Sequence, residues 1–129
     1  MATTAALPTK KPSALGRARG SLSTQFSGTI GGHAFEPEYR FAPVVDGKHV
    51  RQWRFDFAFP GLLLAVEVEG GMFFGGRHGG ARSVVRDLEK YTAAATLGWR
   101  VIKVTPQQVK TGRALEIIQS ALGLREIDL

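Results

Sequence analysis

Three acidic side chains, Asp56, Glu67 and Glu69, have the types and spacing of a catalytic metal site. Asp56 lies in an aromatic run, and the two glutamates end the apolar run that follows a Pro-Gly turn. Residues two positions apart in a strand point to the same face, so both glutamates leave the strand on one side. Two like charges beside an apolar run repel each other and lose hydration. A divalent cation is the usual compensation, so residues 54–69 predict a metal-dependent catalytic hairpin.

The two runs around the turn alternate with the period of a β-strand. One face of the first run carries the aromatic residues Trp53, Phe55, Phe57 and Phe59. Asp56 is predicted to face away from this aromatic set. In the second run, Leu63 and Ala65 share the face of the glutamates, and the opposite face is entirely apolar, with Leu62, Leu64, Val66 and Val68. The pattern therefore predicts two strands that hold all three acids.

A further strand is predicted before the hairpin, over residues 36–43, paired with residues 52–59 across a turn that contains Asp46 and Gly47. Two more acids, Glu36 and Glu38, lie in this strand. Either one of them approaches the metal site, with Glu38 as the candidate accessory acid, or both are exposed carboxylates at the start of a strand.

The eleven residues after the hairpin, 70–80, contain six glycines. So much glycine predicts a loop that lets substrate approach closely or that orders on binding. We assign Arg77, His78 and Arg82 to this loop. His78 has two interpretations: an ordinary surface residue, or a general acid, base or phosphate contact beside the metal.

A helix is predicted next, from Val84 to Leu97, capped by Ser83 and ended by Gly98. Its buried stripe is predicted to contain Val84, Leu88, Tyr91 and Ala95. Lys90 lies off that stripe, either on a solvated face or leaning toward the carboxylates. A strand over residues 99–104, a break at Thr105-Pro106 and a helix over residues 111–122 follow. This order predicts an α/β (α+β) sandwich around a central mixed sheet flanked by helices.

The chain has 129 residues, enough for one domain, and lacks cysteine, which suits a reducing cytoplasm. No apolar run is long enough to cross a membrane, so we expect no membrane partner. Residues 1–34 are predicted to form a basic, flexible segment, and residues 35–129 the catalytic domain. The segment carries four basic residues and no acid, namely Lys10, Lys11, Arg17 and Arg19. It is either a solvated tail, an arm along a phosphate backbone or a cleaved transit peptide; Ser13–Phe26 contains a helical pattern interrupted by Gly16 and Gly20.

Five blocks of the sequence, in this order and spacing, resemble the PD-(D/E)XK nuclease superfamily. More narrowly, they are similar to small phage and bacterial endonuclease-like proteins related to the very-short-patch-repair endonucleases. The blocks are Phe55-Asp56-Phe57, the run Leu64 to Gly71, Gly76-Arg77-His78, Glu89-Lys90-Tyr91 and Leu97-Gly98-Trp99-Arg100-Val101. The resemblance covers residues 36–122 and implies a restriction-endonuclease-like fold.

The resemblance also implies a hydrolase that cuts DNA phosphodiester bonds with Mg²⁺, for which Mn²⁺ substitutes. Asp56 and Glu67 match the two metal-binding acids of the superfamily, and the carbonyl of Val68 matches its backbone ligand. DNA contacts are expected from Arg54, Arg77, Arg82 and the basic residues of the N-terminal segment. A chain of this size needs a second copy to cut both strands of a duplex, so a homodimer is expected, acting in a bacterial or phage-infected cytoplasm.

The sequence departs from the superfamily pattern at Glu69, where a lysine is usual. Glu69 then either binds a second metal ion or accepts the proton of the attacking water, and Lys90 restores the missing positive charge. Without the lysine, the alternative is a non-catalytic DNA-binding or scaffold protein that keeps the nuclease fold. A carboxylate pair for glycoside hydrolysis is a third alternative, disfavoured because no aromatic-lined cleft is evident.

Overall fold

The computed structural model describes residues 13–26, 28–70 and 81–128. The helices within these ranges are α1 (Ala14–Phe26), α2 (Ala81–Thr96), α3 (Pro106–Thr111) and α4 (Arg113–Ala121). The strands are β1 (Thr29–Ile30), β2 (His33–Ala34), β3 (Glu36–Arg40), β4 (Val44–Val45), β5 (Lys48–His49), β6 (Arg54–Phe59), β7 (Leu64–Val68) and β8 (Arg100–Val104). The protein has an α+β fold, as the sequence predicted.

The central sheet has four strands in the order β3-β6-β7-β8. The first three are antiparallel neighbours, and β8 runs parallel to β7, so the sheet is mixed. A single 3-10 turn at Pro60–Leu62 joins β6 to β7, and Leu63 adopts a left-handed conformation at its end. Helix α2 lies in the crossover between the parallel pair. The predicted pairing of the first strand with the hairpin is confirmed, with a short β4–β5 hairpin around Asp46 and Gly47 between them.

The sheet separates two apolar clusters. The larger cluster contains Phe57, Phe59, Leu64, Val66 and Val68, together with residues of α1, α3 and α4. The smaller cluster contains Phe41, Phe55, Ala58, Ala65 and Ala94, with Tyr39, Trp53 and Trp99 packed against it. The predicted alternation of β7 is therefore confirmed, because Ala65 and Val66 belong to different clusters.

The prediction that Phe55 and Phe57 share one face is wrong, since they lie in different clusters. The regular strand pairing is interrupted between them, at Asp56 and at Glu38 on the neighbouring strand. The pairs Pro37↔Phe57 and Tyr39↔Phe55 leave Glu38 opposite Asp56, and no pair forms there. Glu38 has a φ of 50°, a left-handed conformation that no regular strand uses. The interruption of the ladder at Asp56 is thus where the side chains change faces.

Helix α1 forms over the helical pattern of Ser13–Phe26, so the expectation of a flexible segment over residues 1–34 is wrong for this stretch. Its apolar residues Ala18, Leu22 and Phe26 are buried in the larger cluster. The ring of Phe26 packs edge to face against Phe57, with centroids 5.1 Å apart. Each helical glycine costs about 1 kcal/mol relative to alanine, whereas burying one large apolar side chain contributes about 1.5–3 kcal/mol. Packing against the sheet therefore outweighs Gly16 and Gly20, and this part of the segment belongs to the ordered fold.

The predicted buried stripe of helix α2 is also wrong. Val84 and Leu88 are 52% and 62% exposed, and α2 instead packs on the sheet through Ala94, which is fully buried. The helix begins at Ala81, so Ser83 is inside it and does not cap it, whereas Gly98 follows its end in a left-handed conformation, as predicted. A small residue at the contact allows a close approach, which brings Lys90 and Tyr91 to the sheet.

The break expected at Thr105-Pro106 is the start of helix α3. Thr105 accepts a hydrogen bond from the Gln108 backbone N–H, and the Gln108 side chain accepts one from Thr105 N–H. This capping box, with proline in the first turn, is a strong helix start. Helix α4 follows after Gly112 and buries Ala114 and Ile118. Of the helices described, none has the length and apolarity needed to span a membrane.

Candidate active site at the end of the β6–β7 hairpin

The β6–β7 ladder brings Asp56 and Glu67 to neighbouring positions. The last regular pair is Phe57↔Val66, so the next positions along the two strands are Asp56 and Glu67. On the other side, β8 pairs with β7 in parallel and sets Lys103 beside Glu67. Glu69 lies just beyond β7, and its N–H donates to the Val104 carbonyl at 2.7 Å, which keeps it at the edge of the sheet. The three predicted site acids therefore lie in two adjacent strands or directly after one of them.

The Asp56 carboxylate bridges strand β7 and helix α1. Its Oδ2 accepts a hydrogen bond from Val68 N–H at 2.8 Å, and its Oδ1 lies 3.9 Å from Arg19 Nη1. The side chain is 25% exposed. Burial raises the pKa of Asp56 above its ordinary value, and the charge of Glu67 raises it further, while the Val68 N–H bond opposes the shift. Asp56 is thus a half-buried carboxylate with one oxygen fixed and one directed toward a cation.

Glu67 is buried, with 7% of the residue exposed. Both of its oxygens have partners on helix α2: Lys90 Nζ donates to Oε1, and the Tyr91 hydroxyl donates to Oε2. Lys90 also lies 5.7 Å from the centroid of the Phe55 ring, so its ammonium sits at the border of the smaller cluster. Lys90 therefore points toward the carboxylates and not into solvent, which is one of the two positions predicted for it.

Glu69 makes two longer contacts. Its Oε1 lies 3.3 Å from the Tyr91 hydroxyl and 3.8 Å from Lys103 Nζ. Lys103 Nζ in turn lies 3.5 Å from the centroid of the Tyr91 ring. Burial and the hydrogen bond to Glu67 raise the pKa of the Tyr91 hydroxyl, so it stays protonated and remains a donor at neutral pH.

The three acids and three basic side chains of the site balance in charge. Lys90 faces Glu67, Lys103 faces Glu69 and Arg19 faces Asp56. The chain therefore supplies cations for both glutamates, so their repulsion alone does not require a divalent cation. A metal ion at this site must be argued from the oxygen donors themselves.

Within residues 13–26, 28–70 and 81–128, no three aspartate, glutamate, histidine or cysteine side chains are grouped closely enough to hold a metal ion together. Magnesium is commonly held by one or two carboxylates, with waters and substrate phosphates completing its shell. Asp56 and Glu67 provide two carboxylates, and their oxygens are the hard ligands that magnesium prefers. Glu67 can serve only by exchanging Lys90 or Tyr91 for the ion, since both of its oxygens are occupied.

The other predicted site residues lie in several places. Glu38, the candidate accessory acid, is 68% exposed and binds Arg54 at 3.1 Å, so the described contacts pair these two with each other and not with Asp56. Arg82 lies in the first turn of α2 and not in the glycine-rich loop. Arg17 and Arg19 are both on α1. The remaining predicted residues, Lys10, Lys11, Arg77 and His78, are outside the described residues.

Tyr91 and Lys103 were not predicted to belong to the site. Tyr91 belongs to the predicted buried stripe of the helix, and Lys103 lies in the strand predicted over residues 99–104. The sequence carries no signal for Lys103, because only the parallel pairing of β8 with β7 places this lysine next to the acids. Tyr91 follows Lys90 directly, and adjacent helical residues both reach Glu67 only because the helix lies close to the sheet.

Comparison with known proteins gives two relatives and no activity. No family model matches the chain, and no solved structure matches it. The chain is 27% identical over 100 residues, 77% of its length, to the uncharacterized protein Rv2248 of Mycobacterium tuberculosis strain H37Rv. The uncharacterized protein MT2308 of strain CDC 1551 is equally similar. The matched region is 35% of those proteins, so the chain spans about a third of the length of the curated relatives it matches.

Proposed function

We propose that this protein is a metal-dependent DNA endonuclease whose ion is held by Asp56 and Glu67. The observation that carries the proposal is the position of these two carboxylates on adjacent strand ends with Lys90 against one of them. Two acids and a lysine at one strand end are the groups that phosphodiester hydrolysis needs for a metal ion and for charge stabilisation. The resemblance to the PD-(D/E)XK superfamily supports the same assignment.

Mg²⁺, or Mn²⁺ in its place, would be held by Asp56 Oδ1, one oxygen of Glu67 and the Val68 carbonyl. When bound, such an ion lowers the pKa of a water and neutralises charge on the phosphate. The chain's own residues have separate roles. Val68 N–H fixes the second oxygen of Asp56, which orients its carboxylate. Arg19, on α1, is close enough to the site to contact a DNA phosphate.

Lys90 supplies the positive charge that the superfamily lysine supplies elsewhere. Its ammonium is the only protein cation of the described residues in direct contact with Glu67. Glu69, which replaces that lysine in the sequence, is held by Tyr91 and Lys103. Both of these contacts are made by Oε1, so Oε2 of Glu69 is the oxygen that would accept the proton of the attacking water.

One observation favours the alternative of a non-catalytic DNA-binding or scaffold protein. The acids of the site are already neutralised by Lys90, Lys103 and Arg19, and a closed network of this kind is complete without an ion. In that case the residues act as a structural ion-pair network. The two candidates differ in whether a divalent cation binds and in whether DNA is cut.

A plasmid-nicking assay with Mg²⁺ or Mn²⁺ tests the proposal. Wild type is compared with Asp56→Ala and Glu67→Ala, and with Glu89→Gln as a control, since Glu89 is an exposed acid on the same helix as Lys90. We expect cation-dependent nicking by wild type and the control, and a loss of at least about 100-fold in both site variants, the scale of removing an essential electrostatic group. Cleavage that Asp56→Ala leaves intact would exclude this site, and cation-independent DNA binding without cleavage would favour the scaffold alternative.

A further inference from the structure

The Tyr91 hydroxyl connects the two glutamates of the site. It donates to Glu67 Oε2 and lies 3.3 Å from Glu69 Oε1. A phenol has one proton, so the two carboxylates share a single neutral donor. Hydrogen bonds to ionised groups are about twice as strong as those between neutral groups. Of the described residues, Tyr91 is the one whose side chain contacts both acids.

The ring of Tyr91 has contacts that do not depend on the hydroxyl. Lys103 Nζ lies 3.5 Å from the ring centroid, and Lys90 Nζ lies 5.2 Å from it. A lysine ammonium over an aromatic ring is attracted by the ring face. About one turn of the helix beyond Tyr91, the fully buried Ala94 packs on the sheet and sets the distance between the sheet and α2. Removing the hydroxyl alone therefore leaves the ring in place and isolates its bonds to the carboxylates.

Lys90 and Tyr91 differ in what a divalent cation would do to them. Both contact Glu67, one through a charged ammonium and one through a neutral hydroxyl. An ion bound to Glu67 repels the ammonium at short range but has no such effect on the phenol. With an ion bound, the contact with Lys90 would therefore be the weaker of the two, and the contact with Tyr91 would be the one that Glu67 keeps.

We propose that Tyr91 is a positioning residue that holds the carboxylates of Glu67 and Glu69 in place, and that it would keep its contact with Glu67 if a divalent cation were bound there. The cation step rests on the proposed nuclease function. The positioning of the two carboxylates does not, because it follows from contacts within the chain. The two parts are accordingly separated by their tests.

The first test compares Tyr91→Phe with Tyr39→Phe, the matched change at the other tyrosine of the chain, whose ring packs against Trp99 beside the smaller cluster. Thermal unfolding is followed while MgCl₂ or MnCl₂ is titrated. Second-sphere changes typically weaken metal binding by about 10–100-fold, so Tyr91→Phe is expected to shift the half-effective concentration by about that factor and Tyr39→Phe to leave it unchanged. In cleavage assays, Tyr91→Phe is expected to lower kcat with little change in the KM for DNA. Equal behaviour of the two variants in both assays would overturn the proposal.

The second test needs no cation. Urea unfolding midpoints are measured for wild type and Tyr91→Phe, and for the same pair carrying Glu67→Gln and Glu69→Gln. Since the neutral amide oxygen of glutamine accepts a weaker hydrogen bond than a carboxylate does, loss of the hydroxyl is expected to lower the midpoint clearly in the wild-type background and less with both glutamines. An equal decrease in both backgrounds would show that the hydroxyl does not hold the carboxylates and would overturn the proposal. If wild type shows neither a cation effect nor cleavage, the nuclease function fails and this second test alone decides the role of Tyr91.

Discussion

Lys90 and Glu67 form an ion pair that is largely removed from solvent, with side chains 16% and 9% exposed. The pair joins helix α2 to strand β7 and lies beside the Phe55 ring. A buried pair of this kind adds little stability compared with apolar packing, but removing one partner leaves an uncompensated charge. The pair is therefore a sensitive point of both the fold and the site.

Replacing Lys90 by methionine is expected to lower the free energy of unfolding by about 3 kcal/mol, because Glu67 is left buried and, among the contacts described for it, keeps a neutral hydrogen bond from Tyr91 but no cation. Urea unfolding measures the change. The matched control is Arg54→Met, which breaks the exposed pair with Glu38, whose side chains are 51% and 68% exposed. Exposed pairs contribute between about 0 and 1 kcal/mol, so the control should change the free energy of unfolding very little. Equal effects of the two substitutions would contradict the buried character of Lys90–Glu67.

Asp56→Asn is expected to stabilise the protein at neutral pH while abolishing activity. The amide oxygen keeps the bond from Val68 N–H, and the substitution removes the charge whose burial raises the pKa of Asp56. Because the folded-state pKa lies above the unfolded value, the contribution of Asp56 to stability is fully present below the unfolded pKa and is lost as the pH rises through the folded pKa. The free energy of unfolding of wild type minus that of Asp56→Asn should therefore fall as the pH increases above 3.8, the ordinary pKa of an aspartate. A difference that rises with pH would contradict this environment for Asp56.

Leu22→Ala is expected to lower the free energy of unfolding by about 2–5 kcal/mol, the usual cost of truncating a buried leucine. Leu22 is fully buried in the larger cluster, so α1 is part of the folded domain. Val44→Ala, at a 59% exposed position in the β4–β5 hairpin, is the control and should change stability by less than about 0.5 kcal/mol. Thermal or urea unfolding measures both variants. If Leu22→Ala left the free energy of unfolding unchanged, α1 would not contribute to the core.

Arg19→Gln is expected to weaken DNA binding and to reduce the dependence of log K on log salt by about one unit, as for the loss of one phosphate contact. Arg113→Gln provides the control, because Arg113 pairs with Glu116 on α4, away from the acids. Fluorescence anisotropy at several salt concentrations measures the slopes. Identical slopes for the two variants would remove Arg19 from the DNA interface.

Much of the fold was predictable from local pattern, and the site was predictable in part. The period-two alternation of Leu64 to Val68 predicted both the strand and the common face of Glu67 and Glu69. It did so because one side of the strand packs in the larger cluster and the other side carries Ala65, in the smaller cluster, and Glu67. The same logic failed for Phe55 and Phe57, since the conformation of Glu38 on the neighbouring strand interrupts the ladder there. A change of face imposed by a partner strand leaves no trace in the period of the strand itself.

Helix α2 shows a second limit. The apolar spacing of Val84 and Leu88 indicated a buried stripe, yet both are exposed and the contact with the sheet is made by Ala94. A helix that packs through small residues gives a weak apolar signal on its buried side. The stripe therefore says nothing of a contact between Tyr91 and Glu67, and Lys90 is predicted at the site only from the missing lysine at Glu69, although the packing of α2 brings both residues to Glu67. Charge pairing across elements, such as Glu69 with Lys103, likewise becomes visible only once the strand order is known.

The central claim, that Asp56 and Glu67 form a metal-dependent phosphodiesterase site, is tested most directly by cleavage of a panel of fluorescent DNA structures, comprising duplex, mismatch, branched junction, flap and single strand. Wild type and Glu67→Gln are compared with Mg²⁺ and with Mg²⁺ removed by chelation. We expect wild type to cut at least one structure in the presence of Mg²⁺ alone, and Glu67→Gln to be at least about 100-fold slower on that structure. Cleavage that persists without the cation, or that Glu67→Gln leaves unchanged, would contradict the claim.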